Sequence, residues 1–283
     1  MAKGCLKIAT CQFPVSGSIR RNAEYVRLFM KKAAKGRADI VHFSECALSG
    51  YAPVDVETFD GFDWRLLQTE TENIIKLAKK LHLWVVLGST HRLTEPNRPH
   101  NSLYLISPMG MIADRYDKRF CMPRDLDYYT PGGRFVMFTV NGVRCSLLIC
   151  YDLRFPELYR ELKKSGADCI FQSFYNARQK GRTIQTDIMR QSMQCRAATN
   201  YFWSSMANSS AYYQSYPSCF IRPDGKIIGQ LRQHRPGMMF NTVDLKEEYY
   251  DASGPFRDQA MKGILSSSLK TVDDKRSQNT TLL

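Results

Sequence analysis

Residues 5–44 read CLKIATCQFPVSGSIRRNAEYVRLFMKKAAKGRADIVHFS, and this stretch decides the fold class. Its first nine residues, Cys5 to Phe13, are apolar and β-favouring, and Pro14 ends them as a strand. Gly17 supplies a turn and Ser18 a helix cap. Apolar side chains then recur at Ile19, Ala23, Val26 and Met30, the three-to-four spacing of an amphipathic helix over 18–35. Gly36 stops that helix, and Ala38 to Ser44 is a second apolar strand. A strand, a crossover helix and a strand make a βαβ unit, so the two strands are expected to be parallel and buried on both faces.

The alternation continues outward from this unit. Residues 63–81 carry Trp64, Leu67, Ile74, Leu77 and Leu81 on one helical side, and Leu83 to Leu87 follow as a strand. Shorter strands are predicted at 102–106 and 110–116 around the turn Ser107-Pro108-Met109. Residues 135–140 and 143–149 flank Asn141-Gly142, a strong hairpin signal. Pro156 and Glu157 open a helix to Lys164, and a strand follows at 167–172. A helix at 186–199, a strand at 201–206, a hairpin over 219–229 and a strand at 238–243 complete the pattern. Helices flanking sheets throughout indicate one α/β domain over residues 1–265. The polar tail, 266–283, reads as mobile or docked on another subunit.

Composition excludes several classes. With 43% hydrophobic and 24% charged residues in 283, the chain is neither disordered nor of low complexity. It lacks the apolar opening of a signal peptide and any run of about 18 apolar residues, so no membrane association and a cytoplasmic location are expected. The nine cysteines are then expected to be reduced thiols, and none forms a C-x-x-C pair. The five histidines, His42, His82, His91, His100 and His234, show no metal-ligand spacing, so neither a metal nor another cofactor is expected. The charge is strongly basic, 40 − 27 = +13. Because the basic doublets (Lys31-Lys32, Lys79-Lys80, Lys163-Lys164) are scattered over helices, they read as solvated faces rather than a nucleic-acid site.

Reactive residues stand just past three strand ends: Glu45, Lys118 and Cys150. Together they form a sufficient set for amide hydrolysis, since a carboxylate can take the thiol proton and a cation can stabilise an oxyanion. Each has a plainer reading as well: a helix cap, a solvent-facing lysine, or a cysteine acting as a small hydrophobe, as Cys145 does on the same strand. Cys150 differs in sitting at a strand-to-helix elbow, where a helix N-terminus favours the thiolate.

Longer strings around these residues are more specific. Phe43-Ser-Glu45-Cys-Ala-Leu-Ser-Gly50-Tyr51, Tyr116-Asp-Lys118-Arg-Phe, Tyr129-Thr-Pro131-Gly132 and Leu148-Ile-Cys150-Tyr-Asp-Leu-Arg-Phe-Pro156-Glu157 follow one another in the chain. In that order they resemble the nitrilase, or carbon–nitrogen hydrolase, superfamily over about residues 5–245. The resemblance implies a four-layer αββα sandwich and a homodimer or larger homo-oligomer. It also implies that Glu45 is the general base, Lys118 the oxyanion-stabilising cation and Cys150 the nucleophile, with the Tyr151 N–H as a second oxyanion donor. The implied reaction is ping-pong: Cys150 forms an acyl-thioester, Glu45 protonates the departing nitrogen, and Glu45 then activates water. Many members carry a further Glu seven residues before the Gly of the Pro-Gly motif. Asp125 stands there, about one methylene shorter, so its reach to Lys118 is a question of geometry. Thr199 stands where members commonly have Glu before Asn200.

Tyr51, Phe155, Tyr175, Asn176 and Arg178 follow or flank strand ends and are candidate pocket residues, with ordinary loop packing as the alternative. Arg154 has two readings, a ligand for a substrate carboxylate or an ion-pair partner of Asp152. The Cys150 string is most similar to the amidase branches, including ω-amidase-like members, which implies a small linear amide as substrate. An N-carbamoyl hydrolase is the alternative; nitrile hydrolysis and a non-catalytic basic binding protein stand behind it.

Overall fold

A computed structural model describes residues 3–176, 180–267 and 272–281. The first stretch folds as its pattern dictates. Strand β1 (Cys5–Gln12) leads to helix α1 (Ile19–Lys35), and β2 (Ile40–His42) lies parallel to β1. The Ser18 side chain caps α1 by accepting from the Arg21 N–H, and the α1 face Ile19, Ala23, Val26, Met30 is buried. Helix α2 (Trp64–Leu81), β3 (Trp84–His91), β4 (His100–Ser107) and β5 (Met111–Asp117) follow. In the second half come β6 (Met137–Val140), β7 (Val143–Ile149), α3 (Pro156–Lys164), β8 (Cys169–Ser173), α4 (Ile184–Asn200) and β9 (Trp203–Ala207). The last elements are β10 (Cys219–Ile221), β11 (Ile227–Gln230), β12 (Gly237–Asp244), α5 (Gly254–Met261) and α6 (Lys275–Gln278).

Two six-stranded sheets result, ordered β12-β1-β2-β3-β4-β5 and β11-β10-β9-β8-β7-β6. Each has three parallel strands at its centre, β1, β2, β3 in one and β7, β8, β9 in the other, flanked by antiparallel edges. Side-chain alternation makes the layers. Along the first sheet, Leu6, Ile8, Ile40, Val86, Leu103 and Leu105 join the core shared with the second sheet. Their neighbours Ala9, Val41, Val85, Leu87 and Ile106 pack with the buried faces of α1 and α2. On the far side, Leu158, Tyr159 and Leu162 of α3 and Met189, Met193 and Ala197 of α4 close over the second sheet. The architecture is the expected four-layer αββα sandwich. At about 1.5–3 kcal/mol per fully buried large aliphatic or aromatic side chain, these three interfaces dominate its stability.

Boundaries differ from the sequence reading in places. Strand β2 is only three residues long, because the chain turns at Phe43 to present Glu45, and β3 runs on to His91. Helix α5, absent from the sequence reading, is short and lacks a long apolar stripe. Its anchor is the buried Arg257, which donates to the Thr199 carbonyl and to Asp251. Among the described residues, no helix is long and apolar enough to cross a membrane.

Candidate active site

Glu45 and Lys118 come from the first sheet, past β2 and β5, and Cys150 comes from the end of β7 in the second. The backbone around Glu45 is set by close packing. A Cβ on Gly88 of β3 would stand 2.1 Å from the Ser44 carbonyl oxygen and 3.0 Å from the Glu45 carbonyl carbon. Only glycine lets the two segments approach so closely. Gly132 serves Lys118 in the same way, since its N–H donates to the Lys118 carbonyl at 2.8 Å and a Cβ there would meet the Asp117 carbonyl oxygen at 2.3 Å. This is the physical content of the Thr-Pro-Gly string.

The charged groups converge completely out of water: Glu45 and Asp125 are 0% exposed and Lys118 1%. Lys118 Nζ donates to Glu45 Oε1 at 2.9 Å and to Asp125 Oδ2 at 3.2 Å. Asp125, on a 3-10 turn over Pro123–Asp127, therefore reaches the lysine despite its shorter side chain. Tyr51 donates to the other Asp125 oxygen at 2.6 Å, with the Lys118 ammonium 5.8 Å from its ring centre. Burial opposes charge on Lys118, but Glu45 and its neighbours outweigh it and hold the ammonium charged. Burial pushes the Glu45 carboxyl up, with Lys118 pulling the other way. Its Oε2 has no hydrogen-bond partner among the described residues.

Cys150 opens a 3-10 turn over Cys150–Arg154 with φ of 40°, a left-handed conformation that costs a non-glycine residue about 1–3 kcal/mol. Asp152 pins this elbow. Fully buried, it accepts from the Ile149 N–H at 2.9 Å, the Phe120 N–H at 3.0 Å and the Tyr116 hydroxyl at 2.8 Å. One carboxylate thus ties the end of β7 to the segment carrying Lys118. Burial drives the Cys150 thiol well above its ordinary pKa, the Glu45 carboxylate adds to this, and Lys118 opposes it. Burial and the Glu45 carboxylate thus work against the thiolate preference expected from the helix N-terminus, and Lys118 works with it. Its Sγ lies 3.9 Å from the Tyr175 carbonyl oxygen.

The other candidates are distributed unevenly. Tyr175 stacks on Tyr51, with ring centres 5.2 Å apart, beside the cluster. Phe155 stacks on Phe120 at 3.6 Å and meets Tyr151 edge-on. Asn176 is bound into a polar group with Asn208, Gln214 and Tyr216. Arg178 lies outside the described residues. Arg154 donates to Gln185 and not to Asp152, so the expected ion pair is replaced by a contact with α4. Thr199 bonds back to the Cys195 carbonyl within α4. Sequence reading missed Asn101, whose Nδ2 donates to Glu45 Oε1 at 2.8 Å. Asn101 is the second residue of β4, between His100 and Ser102, so no isolated polar position marks it in the sequence. A surface cleft lined by Trp64, Gln68, His91 and Tyr104 lies against α2 and touches none of these residues.

Fold and cluster together define a four-layer sandwich protein with a carboxylate, an ammonium and a thiol gathered at one end of its two sheets. The chain belongs to the carbon–nitrogen hydrolase family, whose model matches residues 7–249. It is 31% identical to an (R)-stereoselective amidase of Pseudomonas sp. over 61% of this chain and 60% of that one. It is 30% identical to a 2-oxoglutaramate amidase of Bacillus subtilis over 59% of this chain and 63% of that one. The matched region thus spans about three fifths of each relative's length. A solved amidase from Nesterenkonia sp. shares the fold with a TM-score of 0.74 at 19% identity, over 87% of this chain and 92% of that one. A mutant of that amidase carries the acetamide moiety of fluoroacetamide covalently at its active-site cysteine.

Proposed function

We propose that this protein hydrolyses the C–N bond of a small linear amide through an acyl-thioester on Cys150. The observation that carries this reading is the buried Glu45 carboxylate, clamped at Oε1 by Lys118 and Asn101 and unbonded at Oε2, beside a thiol held on a strained elbow. As Sγ attacks the amide carbon, Glu45 takes the thiol proton. The oxyanion that forms is stabilised by the Lys118 ammonium and by the Tyr151 N–H, which lies in the first turn after the elbow, where amides lack intrahelical partners. Glu45 passes its proton to the nitrogen, the C–N bond breaks and ammonia or an amine leaves. Water then gives a proton to Glu45 and its hydroxyl to the acyl carbon, releasing the acid and restoring the thiol. Burial of Glu45 suits this double duty, because a raised pKa brings both protonation states within reach near neutral pH. Asp125 and Tyr51 hold Lys118 in place, and the amidase relatives support an amide as substrate.

The test is ammonia release from a panel of ω-amides of dicarboxylic acids, aliphatic amides, N-carbamoyl compounds and nitriles. Release from linear amides is expected, and release confined to nitriles or carbamoyl compounds would reject the amidase reading. Gly88→Ala should act on the same chemistry at one remove. The added methyl forces the Glu45 segment away from Lys118 and Cys150, so kcat/KM for the best amide should fall on the order of 10²-fold. Stability should drop by about 1–3 kcal/mol. Full activity in a folded Gly88→Ala protein would show that the position of Glu45 does not control the rate.

A further inference from the structure

Between the two sheets, directly beneath this cluster, runs a chain of polar side chains buried in an otherwise apolar layer. Thr10 Oγ1 on β1 lies 2.7 Å from Ser205 Oγ on β9, and Ser205 Oγ lies 2.8 Å from His42 Nδ1 on β2. His42 Nε2 lies 2.9 Å from Ser173 Oγ on β8, and Ser173 donates to the Phe43 carbonyl at 2.8 Å. All four side chains are at most 1% exposed, and Phe171 meets the imidazole edge-on. Burial pushes the His42 pKa down to about 3, so the ring is neutral.

Donor and acceptor counting fixes every proton in this chain. A carbonyl only accepts, so the single Ser173 proton goes to Phe43, and Ser173 must accept from His42 Nε2. A neutral imidazole carries one N–H, so Nδ1 accepts from Ser205, which in turn accepts from Thr10. The bonds run one way, Thr10 to Ser205 to His42 to Ser173 to Phe43, with no member unsatisfied. Both ends of its last link lead to the reacting groups. Phe43 is two residues before Glu45, and Ser173 is two residues before Tyr175, whose carbonyl lies against the Cys150 sulfur.

We infer that His42 is a positioning residue which, through its Nε2–H and Ser173, sets the distance between the Glu45 segment and the Tyr175 wall beside Cys150. The inference rests on the proposed role of Glu45 as the base for Cys150. Its test is the rate at which iodoacetamide alkylates Cys150 at pH 7, followed by site-resolved peptide mass spectrometry, with exposed Cys195 as internal reference. In His42→Phe and in Ser173→Ala, Cys150 should slow at least about 10-fold relative to Cys195, because a shifted carboxylate no longer takes the thiol proton. A role confined to stability lowers Tm and leaves that ratio unchanged, so a ratio within twofold of wild type in the folded variants overturns the inference. Glu45→Gln run in parallel separates the two readings. Slowing there with none in His42→Phe rejects His42 alone, whereas no slowing in Glu45→Gln rejects the base itself and the inference with it. Nitrogen-15 spectra of unaltered protein give a second, independent readout. They should show the proton of His42 on Nε2, and a proton on Nδ1 would break the chain as drawn.

Discussion

Cys150→Ala is expected to abolish ammonia release from every amide the wild type turns over, a loss of at least roughly 10³-fold, since the variant lacks the thiol that takes up the acyl group in the proposed reaction. The fold should survive. The substitution removes one sulfur from a half-buried elbow whose shape is set by Asp152 and by the ends of β7 and α3, so Tm should move by less than about 4 °C. The intact mass of wild type mixed with a slow amide should show the acyl group on one thiol, and the variant should show none. Undiminished release by Cys150→Ala would send the search for the nucleophile elsewhere.

Lys118→Met should do double damage. Methionine fills most of the lysine volume but leaves Glu45 and Asp125 buried without their cation. Removing one partner of a buried ion pair costs about 3–5 kcal/mol. The loss should depend on pH with a definite sign. Lys118 pulls the Glu45 pKa down, so its removal lets burial raise that pKa further. A carboxyl whose folded pKa lies above its unfolded value contributes stability below the unfolded value, and that contribution is lost as pH rises through the folded one. The gap between wild type and variant should therefore be widest near pH 8 and narrow toward pH 4.5. Turnover should fall by about 10²–10³-fold or more with the oxyanion donor gone. Urea denaturation at the two pH values, alongside kcat/KM, decides the matter: a pH-independent gap would mean that Lys118 does not govern the charge on Glu45.

How much of this was legible in the chain depends on the range over which each feature is determined. The βαβ opening was readable because cap, period and stop are all local: Ser18, the Ile19–Met30 stripe and Gly36 lie within one helix length. The order of the strings around Glu45, Lys118 and Cys150 placed those residues together before any geometry was known. Gly88, Asn101 and Asp152 were not legible in these roles. Each acts on a residue far along the chain or on another element, and nothing in its own neighbourhood announces that partner. His42 shows only a lack of metal-ligand spacing in the sequence, and its serine partners lie more than a hundred residues away on the other sheet. The surroundings of the thiol divide in the same way: a helix N-terminus is visible in sequence, whereas the burial that opposes it is a property of the packed sandwich.

The first sheet takes one of its two edge strands from a segment remote in sequence: β12, residues 237–244, pairs with β1, residues 5–12. On the ribosome, β1 is thus made more than two hundred residues before its partner. Until then it remains an open edge beside β2, with unpaired amides and apolar side chains of the kind that recruit other chains. The sandwich gains this edge strand only once residues 237–244 have been made. Chains cut short before residue 237 should accordingly aggregate rather than accumulate as soluble, half-built protein.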